Sequence, residues 1–324
     1  MAAEPEPGAS APLISIPEAP APQGAQAEWF EGSGGARLRA ALFPCEGVTV
    51  GSVVLSPGRT EPIEKYFEVA RELNRRGLVV LAHDWRGQGL SQRMLPDRRR
   101  GHAEGFDAYL GDYIALLDAF ATRLPKPWVG LGHSMGGCLE LLALAKGEKR
   151  LSAAFLTAPM LGVQTGPWPL WLTRGVVGLS GVIGRSGAYA LPTYDPLADH
   201  FATDGLTHDR VRYDRYKAQL RACPDLAIGA ITWGWLDFAL KASATIGAPG
   251  ALEHVDIPVS IVVAGDERLV LNGAARIAAR RLPRGACTEI AGAYHELLME
   301  TDPVRAEVWS AFDGLIKPLI SPTA

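Results

Sequence analysis

Gly132-His133-Ser134-Met135-Gly136 stands between an apolar strand-like run, Trp128-Val129-Gly130-Leu131, and a helix-like run from Cys138 to Ala145. A G-x-S-x-G pentapeptide on a strand–turn–helix corner is a nucleophile elbow: the chain turns so sharply that the serine hydroxyl is pushed out of the sheet. Glycines on both sides permit a backbone that most side chains forbid. Gly137 next door lets the following helix pack close to that corner. A chain built around this corner needs a buried, largely parallel sheet beneath it, and the remaining sequence supplies one.

From about residue 27 the pattern alternates. Residues 38–43 and 51–56 read as strands, and residues 64–76 carry Phe67, Val69, Ala70 and Leu73 at helical spacing with Gly77 just past the end. Leu78 to Ala82 is a nearly all-apolar strand, as expected where both faces of a parallel sheet are covered. Phe106, Tyr109, Leu110, Tyr113, Leu117 and Phe120 mark an amphipathic helix over 106–123. The elbow follows, then strands at 153–157 and 258–264. Such alternation implies an α/β fold with helices crossing over a parallel sheet. Between about Pro159 and Val255 the rhythm breaks, with aromatic residues and no clear strand. The chain therefore divides into a disordered Ala/Pro-rich arm (1–27), a core (28–158 and 256–320) and a helical cap inserted at 159–255.

A net charge of −3 argues against an electrostatic nucleic-acid binder. Four dispersed cysteines without C-x-x-C spacing give no metal site, and Cys138 reads as a buried free thiol. No run of about 18 apolar residues marks a transmembrane helix, and the acidic, proline-rich start does not resemble an export signal. The expected location is cytoplasmic, with room for peripheral contact at the inner membrane face.

A serine nucleophile needs a base, and the base needs an orienting carboxylate. After an elbow of this kind the chain order is serine, acid, histidine. Nine aspartates lie between Ser134 and the last histidine, and only Asp266 directly follows a strand's C-terminal end, where sites of open α/β sheets cluster. His295 alone of seven histidines lies beyond it. Ser134, Asp266 and His295 are thus the expected catalytic residues. The oxyanion hole needs two backbone N–H groups. Met135 supplies one by position. The loop after strand 51–56 supplies the other, where Pro57 has no N–H and Arg59 is the expected donor.

Pro57-Gly58-Arg59-Thr60-Glu61 with Lys65-Tyr66, Asp84-Trp85-Arg86-Gly87-Gln88-Gly89-Leu90-Ser91, the elbow, Gly265-Asp266 and Tyr294-His295-Glu296 together resemble the monoacylglycerol lipase and lysophospholipase branch of the α/β-hydrolase superfamily. The likeness is to the lysophospholipase L2 type, with a serine aminopeptidase S33-type hydrolase domain, and covers residues 30–315. It implies an α/β-hydrolase fold: a mostly parallel central sheet with helices on both faces and an inserted helical cap. It also implies a serine carboxylester hydrolase acting on small-molecule acyl esters through an acyl-enzyme, with no cofactor. Gly58-Arg59 stands where many relatives carry His-Gly. Asp84 and Arg86 are expected to hold the loop near the site through an ion-pair or hydrogen-bond network.

The cap carries Pro167-Trp168-Pro169-Leu170-Trp171-Leu172 and an apolar stretch over 176–183. Trp168, Trp171 and Trp233 are candidate substrate-binding residues, and the same stretches suit contact with a bilayer surface. Arg98, Arg99 and Arg100 read as a solvated loop. An acyltransferase or short-chain esterase on the same triad, and a non-catalytic lipid-binding module, are the competing functions.

Overall fold

The computed structural model describes residues 6–164, 166 and 169–320. Eight strands form one sheet: β1 (Gln26–Glu31), β2 (Arg37–Phe43), β3 (Gly51–Ser56), β4 (Leu78–His83), β5 (Trp128–His133), β6 (Ala153–Thr157), β7 (Val259–Ala264) and β8 (Gly285–Ile290). Their order is β1-β2-β4-β3-β5-β6-β7-β8. β1 and β2 are antiparallel to their neighbours, and all pairings from β4 to β8 are parallel. The helices are α1 (Phe67–Arg75), α2 (Asp107–Phe120), α3 (Met135–Ala145), α4 (Leu170–Val182), α5 (Phe201–Asp204), α6 (Arg210–Ala222), α7 (Trp233–Gly247), α8 (Asn272–Arg281) and α9 (Asp302–Ile320).

Alternation along the strands sends side chains to two cores. Val54, Leu81, Ala154 and Leu156 meet α2, α3, α7 and α8 on one face. Val53, Leu55, Val129 and Phe155 meet α1 and α9 on the other. β3 to β7 are buried throughout, which is why these segments read as continuous apolar runs rather than alternating ones.

Two boundaries differ from the sequence reading. The arm is not structureless: residues 6–25 lie along the domain as a strap, and β1 begins at Gln26. Ser10 bridges to Glu28, Pro12 O accepts from the Arg39 guanidinium at 2.8 Å, and the Ile14 N–H donates to Glu64 at 3.1 Å. The Ala/Pro-rich composition hid this, because the strap is held by long-range backbone hydrogen bonds together with small contacts such as Ala11 and Leu13 on the core. The cap also ends earlier than residue 255. Phe238, Ala239, Ala242 and Ile246 of α7 belong to the core packed against α3. A parallel β6–β7 pair requires a crossover between them, and α7 is that crossover, leaving roughly residues 159–232 as the cap. Within the cap, α6 is clamped to the core by Arg212, which pairs with Glu68 of α1 at 2.7 Å and Asp302 of α9 at 2.6 Å.

Candidate active site

The elbow forms as its residues require. Ser134 ends β5 and precedes α3 with φ 51° and ψ −113°, a conformation that non-glycine residues rarely hold. A Cβ on Gly136 would lie 2.0 Å from the Ser56 carbonyl oxygen, so only glycine lets α3 start beside β3. Ser134 Oγ lies 3.0 Å from His295 Nε2, across 161 residues of sequence.

The acid is a correction. His295 Nδ1 lies 2.8 Å from Glu267 Oε2, and Asp266 is exposed and turned away. After β7 the Asp266 N–H donates to Ala293 O at 3.0 Å, which fixes residue 266 in the strand-like register and sends its side chain outward. The next residue faces the histidine, and the longer glutamate side chain spans the gap. Glu267 Oε1 accepts the backbone N–H groups of Arg268 and Leu269 at 2.9 and 2.8 Å, so both oxygens are fixed. Burial pushes the Glu267 carboxyl up, but the hydrogen bond and charge of His295 outweigh this and hold it below the usual range. Gly265 lets the acid and histidine loops touch: a Cβ there would lie 2.9 Å from the Ile290 oxygen and the Gly292 nitrogen.

The oxyanion loop is similarly constrained. The Gly58 N–H donates to Glu61 Oε2 at 2.7 Å and the Thr60 N–H to Gln88 Oε1 at 2.6 Å. Among the described residues that leaves the Arg59 N–H without a protein acceptor. Thr60 holds φ 67°, which a β-branched side chain resists. Met135, the first residue of α3, has an N–H with no acceptor in a preceding helical turn. Gln88 Nε2 reaches Met135 Sδ at 3.5 Å and so links the two donor positions.

Of the candidate substrate residues, Trp168 lies outside the described residues, Trp171 is 73% exposed on α4, and Trp233 is half-buried at the start of α7. Two other tryptophans meet the oxyanion loop: Trp85 Nε1 donates to Pro57 O at 2.9 Å, and the Trp235 ring lies 5.5 Å from the Arg59 guanidinium. Asp84 and Arg86 are structural, with separate partners: Asp84 pairs with Arg39 at 2.7 Å, and Arg86 with Asp112 at 2.5 Å. Arg98 and Arg99 reach Asp225 and Asp195 of the cap region, both at 3.3 Å. Cys138 is fully buried, and its thiol is pushed up to about 12 by that burial.

The sequence reading also passed over a buried ionic group beside the triad. Lys65 Nζ contacts Glu61 Oε1 at 2.7 Å and Glu296 Oε1 at 2.5 Å, and Tyr66 OH donates to Glu61 Oε2 at 2.5 Å. The signal was present as Glu61-x-x-x-Lys65-Tyr66 and the His295-Glu296 pair, but nothing in the sequence joins these segments. His133 lies beneath, its ring 5.0 Å from that of His295, and burial lowers its imidazole to about 4, so it stays neutral.

Residues 48–302, a stretch holding the whole constellation, match the model of the serine aminopeptidase S33 family. The chain belongs to that family. It is 34% identical over 265 residues to lysophospholipase L2 of Escherichia coli K12, covering 78% of this chain and 76% of the relative. It is 28% identical over 250 residues to a monoacylglycerol lipase of Mycolicibacterium smegmatis, covering 74% and 82%. Among solved structures, a monoglyceride lipase of Saccharomyces cerevisiae superposes with a TM-score of 0.69 at 19% identity, covering 90% of this chain and 95% of that one. That likeness shows the α/β-hydrolase fold. This S33 family member is a serine hydrolase of the carboxylic ester type. Among the described residues no group of His, Cys, Asp or Glu is arranged to hold a metal ion, and no helix is long and apolar enough to cross a membrane.

Proposed function

We propose that this chain hydrolyses single-chain acyl esters through an acyl-enzyme on Ser134, with lysophospholipids as the first substrate class and monoacylglycerols as the second. The observation that carries the reading is the unbroken hydrogen-bonded series Ser134 Oγ, His295 and Glu267, at 3.0 and 2.8 Å. Ser134 attacks the acyl carbonyl while His295 Nε2 takes its proton. Glu267 holds Nδ1–H and stabilises the imidazolium. The N–H groups of Met135 and Arg59 receive the oxyanion, each contributing about 3 kcal/mol. His295 returns the proton to the leaving alcohol, then activates the water that releases the fatty acid. The greater identity to a lysophospholipase L2 than to a monoacylglycerol lipase supports taking lysophospholipids first.

The cap supports peripheral contact with a lipid surface. Trp171, Val176, Leu179, Val182 and Ile183 are exposed on or next to α4, as a solvent-facing helix rarely is. The test is fatty-acid release from a lysophospholipid and a monoacylglycerol of equal chain length, wild type against Ser134→Ala. Release should fall by roughly 10⁶-fold in the variant, and the lysophospholipid should be the faster substrate. Cleavage of short-chain esters alone would overturn the lipid reading.

A further inference from the structure

We propose that Lys65 is a positioning residue that locks the oxyanion loop to the catalytic histidine loop; the proposal rests on the triad reading above. The Lys65 side chain is 3% exposed and has one carboxylate on each side. Glu61 belongs to the oxyanion loop, and its second oxygen holds the Gly58 N–H and the Tyr66 hydroxyl. Glu296 directly follows His295. The ammonium therefore spans the two loops whose separation fixes where the oxyanion donors stand relative to the base. A buried ammonium is tolerated only while its partners stay in reach, so neither loop can drift without stranding a charge.

The groups facing it complete the case. From α6, the Tyr216 ring lies 4.6 Å from Lys65 Nζ and its hydroxyl donates to Thr60 O at 2.5 Å, so the cap helix rests on the same point. His133 Nε2 lies 3.9 Å from Glu61 Oε1, between this group and His295. One ammonium faces two carboxylates. Its charge and hydrogen bond keep Glu61 ionised against the cost of burial, while burial pushes Glu296 up. On the cap side a cavity of about 240 Å³, lined in part by Thr60, Lys65, Tyr216 and Glu296, leaves space for a larger cation.

The experiment measures kcat, KM and the pH profile on a soluble ester, with sites counted by fluorophosphonate labelling so that rates refer to folded enzyme. Lys65→Met should lower kcat by about 100-fold with KM nearly unchanged, the penalty of an ångström-scale misplacement. It should also move the acid limb of kcat/KM upward, because the carboxylates near His295 lose their screening cation. Lys65→Arg should restore at least a tenth of the lost rate. Glu296→Gln, which keeps an acceptor but removes the charge, should move the acid limb downward. Should Lys65→Met fail to fold, Lys65→Arg and Glu296→Gln still decide: a lowered acid limb in Glu296→Gln or a reduced kcat at unchanged KM in Lys65→Arg supports the role, and profiles within threefold of wild type with unmoved limbs overturn it. Glu267→Gln is the control. If it is silent, the triad reading has failed; if it is crippled while the Lys65 and Glu296 variants behave as wild type, only this proposal has.

Discussion

At the scale of single residues the decisive position is 267. Glu267→Gln should lower turnover on the order of 10⁴-fold, because an amide cannot hold the imidazole in its working tautomer. Asp266→Asn, exposed and turned outward, should stay within threefold. Steady-state ester hydrolysis by the two variants checks both. A second residue prediction concerns Glu140 of α3, which is fully buried, hydrogen-bonded to Ser56 at 2.9 Å and pushed up to about 8 by that burial. The folded state therefore binds this proton more tightly than the unfolded chain, so the group subtracts stability as pH rises from the ordinary glutamate range toward 8. Glu140→Gln should flatten that part of the decline, read as Tm against pH from 5 to 8. The serine and histidine were legible because a pentapeptide and chain order name them. The acid was not, since adjacent Asp266 and Glu267 differ only in which way one turn aims them, and that is set by the backbone bond from Asp266 to Ala293.

At the scale of elements, the alternating pattern located all the central strands, because apolar runs of four to six residues between helical segments have few other readings. It missed β1 and the strap, whose ordering comes from long-range backbone bonds. The strap's task is specific. Arg39, Glu64 and Asp84 form a fully buried cluster, and the strap supplies it with an acceptor at Pro12 and a donor at Ile14. Each buried group left unsatisfied costs about 1–3 kcal/mol. A chain beginning at Gln23 should therefore melt roughly 5 °C or more below the full chain, measured by circular dichroism, with kcat per labelled site little changed.

At the scale of the whole molecule, the proposed lipid contact rests on the exposed apolar face of α4. Replacing Leu179 and Val182, exposed by 59% and 86%, with aspartate should abolish co-sedimentation with anionic lipid vesicles while leaving hydrolysis of a soluble ester within threefold. The extent of the cap was misjudged from sequence because α7 carries the tryptophans and alanines of a cap-like segment. Its packing against α3 and the parallel pairing of β6 with β7 assign it to the core.

That crossover has a consequence for descent. A crossover between β6 and β7 is compulsory for the sheet, whereas residues 159–232 are an excursion made before α7 begins. Its outer part around α4 is open to change without shifting a strand by one residue, whereas α6, seated on Thr60 and Lys65, is tied to the hydrolytic machinery.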